Sequence, residues 1–158
     1  MSHMKGSLRV LAAGFGAVVL VACTPASAPP APTAAPTSAA TAPAGLTRSD
    51  AQGAVSFEVT PLNLDQPADT LDFAVTLSTH AEDLSWDLAA TATLATDTGV
   101  QVSGTSWPIG SGHHVEGTLS FPARTADGRE LLSGARALTL TIRDTDVPER
   151  TFVWDLAR

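Results

Sequence analysis

From Val55 to Leu156 apolar and polar side chains alternate with a period of two, and this restricts what the chain can build. A period of two sends successive side chains to opposite faces of an extended backbone, whereas a helix would bury positions three or four apart. Val55, Phe57 and Val59 alternate with Ser56, Glu58 and Thr60, and Leu71, Phe73, Val75 and Leu77 form a second inward row. Leu84, Trp86, Leu88, Ala90, Ala92 and Leu94 make a third, followed by a short strand around Val100, Gln101 and Val102. Val115, Leu119 and Phe121 belong to a fifth row, Leu138, Leu140 and Ile142 to a sixth, and Phe152, Trp154 and Leu156 to the last.

Turn chemistry separates these rows. Residues 61–69 are rich in Pro, Asn and Asp, residues 79–83 make a turn, and Asp97-Thr98-Gly99 is a tight-turn signal. Residues 122–134 and 143–150 are loops, the first with room for one helical turn at most, at 128–132. The expectation is all-β: an antiparallel sandwich of seven short strands over residues 49–158, with no convincing helix. It resembles an immunoglobulin-like sandwich without the disulfide, an architectural resemblance that implies no function.

The first 48 residues lack this alternation. Met1-Ser2-His3 ahead of Met4 reads as a cloning scar, so His3 is left out of the site. Lys5 and Arg9 precede an apolar run, Leu11 to Val21, too short to cross a hydrocarbon core of about 30 Å. The run ends in Leu20-Val21-Ala22-Cys23, which resembles the lipobox of bacterial lipoproteins, and Cys23 is the only cysteine. The resemblance implies that residues 1–23 are a signal peptide ending in a lipidated Cys23. The mature protein would then be extracytoplasmic and held by its lipid on the periplasmic or cell-surface face of a membrane. Residues 24–48 form a linker of Ala, Pro and Thr, uncharged as far as Gly45, whose composition favours an extended polyproline-like tether.

Beyond Arg9 the chain has seven Arg and no Lys against sixteen acidic residues, about −9 in all. That balance excludes a nucleic-acid partner and adhesion to anionic lipid by charge, and favours cations. With no second cysteine there is no internal disulfide, so an apolar core must hold the domain.

Candidate chemistry gathers in Trp107-Pro108-Ile109-Gly110-Ser111-Gly112-His113-His114, a glycine-rich loop that delivers two imidazoles to a strand. If strand direction alternates, His80, Glu82, Asp83, Trp107, His113, His114, Asp144, Asp146 and Glu149 share one pole. By parity His113 is in phase with Val115 and His114 with Glu116, so both meet one ion only if residues 110–112 bend the strand. His80, His113 and His114, with Asp83 or Glu116, form a donor set suited to copper or, alternatively, zinc. No methionine follows Met4, which excludes a methionine-rich copper(I) site. The plain alternative makes His80 a turn residue and has His113 or His114 hydrogen-bond to loop backbone.

Ser111 lies beside the imidazoles, but no Gly-x-Ser-x-Gly elbow, phosphate cradle or HExxH is present. Asp144, Asp146 and Glu149 suit a weak calcium site and ordinary turn chemistry equally. Trp86 and Trp154 stand in apolar rows as core anchors, while Trp107 is open to either role. Two function classes follow. One is a metal-binding lipoprotein in metal handling or oxidative-stress protection, with a copper-dependent superoxide dismutase-like enzyme as its catalytic variant. The other is a non-catalytic interaction module for a protein partner of the cell envelope.

Overall fold

The computed structural model describes residues 45–156, so the lipobox, Cys23 and the tether up to residue 44 lie outside the described residues. In chain order the elements are β1 (Arg48–Asp50), β2 (Val55–Pro61), β3 (Thr70–Thr79), α1 (Leu88–Thr91), β4 (Ala92–Thr96), β5 (Gln101–Ser103), β6 (His114–Pro122), β7 (Ala137–Arg143) and β8 (Glu149–Asp155). They form two antiparallel four-stranded sheets, ordered β1-β2-β3-β6 and β5-β4-β7-β8. Inward rows from both sheets build one core, with Phe73 tilted against Trp154 at 5.3 Å and Phe57 against Phe152 at 6.5 Å. Phe57, Phe73, Leu119, Phe121, Leu140 and Trp154 are fully buried, and removing that apolar surface from water is the main favourable contribution to folding.

Among the described residues the strand count is eight, not seven. The addition, β1, has three residues and no apolar alternation, so its sequence carries no period; it pairs with β2 from Arg48↔Val59 to Asp50↔Phe57. Residues 45–48, part of the expected linker, pack on the sandwich: Leu46 O accepts from Trp154 Nε1 at 2.6 Å, and the Thr47 and Thr60 hydroxyls meet at 2.8 Å.

The row expected as one strand from Leu84 to Leu94 splits. Leu84 and Leu88 are fully buried, as their alternation implies, but residues 84–87 join no sheet. Asp87 then caps a one-turn helix, its carboxylate accepting from Ala89 N at 3.1 Å, and the strand starts only at Ala92. Helix therefore occurs at 88–91, and 128–132 has none.

One buried cation fixes the edge between the sheets. Arg150 occupies an inward position of β8 with its side chain fully buried, over the Phe57 ring at 4.4 Å. It pairs with Asp50 and, at 2.7 Å, with Asp146, and donates to the carbonyls of Gln52 and Val55. Asp146 also accepts from Ala54 N at 2.9 Å and Val55 N at 3.1 Å. The β1–β2 loop is thereby tied to the β7–β8 turn.

Candidate functional site

Where β3 runs out and β6 begins, their antiparallel register sets Ser78 opposite His114 and Thr76 opposite Glu116. These even-numbered positions of β6 face outward, so His114 and Glu116, two residues apart, stand on one face. Glu116 Oε1 lies 3.0 Å from His114 Nε2, and Ser78 Oγ lies 2.9 Å from His114 Nδ1. The imidazole is thus held at both nitrogens.

The glycine-rich loop meets this strand end as its composition requires. Gly112 has φ +98°, a left-handed conformation open to glycine, and turns the chain into β6. Asp83 accepts from Gly112 N, Leu84 N donates to Gly112 O at 2.9 Å, and Thr79 N to His113 O at 2.9 Å. The turn after β3 and the loop before β6 are therefore stitched together, which brings His80 beside His113.

His80, His113 and His114 line one open depression of about 500 Å³, together with Gly53, Ser56 and Ser78. Gly112 turns the chain ahead of β6, and His113 and His114 both line the depression. All three histidines are exposed. Asp83 serves the Gly112 amide and Glu116 serves His114. Among the described residues, no three histidine, cysteine, aspartate or glutamate side chains stand close enough together to hold a metal ion as placed.

Of the other residues expected at this pole, Asp146 lies against the β1–β2 loop, bound to Ala54 and Arg150. Burial raises the affinity of Asp146 for a proton, but the Arg150 hydrogen bond, the Val55 and Ala54 amides and the Arg150 charge outweigh it, and its pKa falls below 3.8. Asp50 moves the same way: burial raises its pKa, and hydrogen bonds from Gln52 with the Arg150 pair bring it below 3.8. Trp107 turns inward and is buried in the core. The opposite pole carries a depression of about 360 Å³ with Arg124 and Glu130 at its rim, paired at 2.6 Å, and no histidine.

Sequence reasoning missed Ser78. As one small polar residue on an outward row it looks like a solvated face, and only the pairing of β3 with β6 shows that it meets His114. Compared with known proteins, the chain matches no protein family, no curated protein and no solved structure, so its chemistry rests on its own geometry.

Proposed function

We propose that the chain is a membrane-tethered, extracytoplasmic lipoprotein whose β-sandwich binds a metal ion, copper first and zinc as the alternative, in metal handling or protection from oxidative stress. The observation that carries this reading is that His80, His113 and His114, from two separate chain segments, line one depression. Imidazole is a favoured donor for both ions, and the acidic body attracts cations. Binding would require His80 and His113 to turn toward His114, and both are exposed. Elemental analysis of the purified, untagged protein after exposure to equimolar copper(II) or zinc and desalting tests it. About one ion per chain is expected, and none in a variant with all three histidines changed to alanine; equal metal in both would overturn it.

A second reading, a non-catalytic module for an envelope protein, draws support from the outer face of the second sheet. Thr93, Thr141 and Thr151 stand side by side across β4, β7 and β8, and Val153 beside them is 46% exposed. This uncharged row is suited to contact with another protein surface.

A further inference from the structure

We infer that His114 offers its Nδ1 atom to the metal and that Glu116 is the residue that positions it, not a ligand; this rests on the metal-binding reading above and names the donor atom of the site. A carboxylate can only accept, so the 3.0 Å contact between Glu116 Oε1 and His114 Nε2 requires the proton on Nε2. In the neutral ring Nδ1 then carries the lone pair, and the Ser78 hydroxyl, 2.9 Å away, must be the donor to it. Ser78 lines the depression and Glu116 does not, so the lone pair lies on the edge of the ring that faces the site. An imidazole whose far N–H rests on a carboxylate is the arrangement that fixes the tautomer and raises the basicity of metal-bound histidines.

Ser78 then acts as an internal competitor. Its hydroxyl must leave Nδ1 before an ion can take its place, and the neighbouring Ser56 hydroxyl is turned to the Ser78 carbonyl at 3.2 Å. Removing the competing hydroxyl frees the lone pair, whereas removing Glu116 lets the ring choose the wrong tautomer. The two variants therefore move affinity in opposite directions.

The test combines ¹⁵N imidazole spectra of the metal-free full chain with zinc and copper(II) titrations of the same protein. The spectra should show His114 as the Nε2–H tautomer, and Glu116→Ala should turn it into a mixture. In the titrations Ser78→Ala should tighten binding about two- to tenfold, the worth of one neutral hydrogen bond. Glu116→Ala should weaken it about 10- to 100-fold, with most of the loss restored by Glu116→Gln, whose amide oxygen still accepts. An Nδ1–H tautomer in the metal-free protein, or weaker binding by Ser78→Ala, would overturn the inference while leaving metal binding intact. A wild type that takes up neither ion overturns the metal reading, and the donor role of Nδ1 with it.

Discussion

Arg150 and His114 show what a single position can and cannot announce. Arg150 stands where the alternation calls for an apolar side chain, between Glu149 and Phe152, and in sequence it passes for one more charge in a turn. In the folded chain it is fully buried and neutralised by Asp50 and Asp146. A buried cation with its partners removed is costly, so Arg150→Ala, which leaves both carboxylates uncompensated, should lower stability by about 3–5 kcal/mol in denaturant titrations. Both carboxylates bind protons less readily in the folded chain than at 3.8, their unfolded value. Their contribution is therefore complete above that value and is lost as pH falls through the lower folded values. Thermal melts from pH 7 down to pH 2 should show the wild type losing stability below about pH 4, and Asp146→Asn, weaker at neutral pH, losing less over the same interval. An unchanged slope in that variant would mean that other groups control acid unfolding. For His114, adjacency to His113 and the face shared with Glu116 were plain in the sequence, but its other hydrogen-bond partner, Ser78, was not, because it comes from another strand.

At the scale of elements, the period of two located the strands now seen as β2, β3, β6, β7 and β8 to within a residue or two at each end. It failed between Leu84 and Thr91, where Leu84 and Leu88 are buried without strand pairing and Ala90, expected inward, is exposed on the helical turn. Side-chain period reports which faces meet the core, and says nothing about where backbone amides find partners once Asp87 offers a cap. It also missed β1, which has three residues and no apolar alternation and whose Asp50 meets Arg150 a hundred residues away. The loop that carries the imidazoles is anchored by a close approach: a Cβ at Gly117 would lie 2.5 Å from Pro108 Cγ and 3.0 Å from the Trp107 ring. Neither ring can bend away as a flexible chain end would. Gly117→Ala should therefore cost about 1–3 kcal/mol and shift Trp107 fluorescence toward that of a more exposed indole. A variant as stable as the wild type, with unchanged emission, would show that this loop is not held by the contact.

On the scale of the whole molecule, we propose that the sequence divides into an anchor, a spacer and a body, of which the described residues cover the body. If Cys23 is lipidated, as its resemblance to a lipobox implies, Cys23→Ala should move the protein from the membrane to the soluble fraction or stall its processing, and unchanged partitioning would contradict the proposed anchor. In the body, the antiparallel pairing of β3 with β6 returns residues 80 and 113 to the same pole. The central claim is that this pole binds a metal ion. Isothermal titration of copper(II) into the untagged protein, alongside His80→Ala, His113→Ala and His114→Ala, tests it most directly. The account predicts binding well tighter than about 100 μM, roughly −5.5 kcal/mol, weakened by each substitution and by acidification, since imidazoles must be neutral to bind. Binding no tighter than that value, or a His80→Ala variant indistinguishable from the wild type, would contradict a site built by convergence of the two segments.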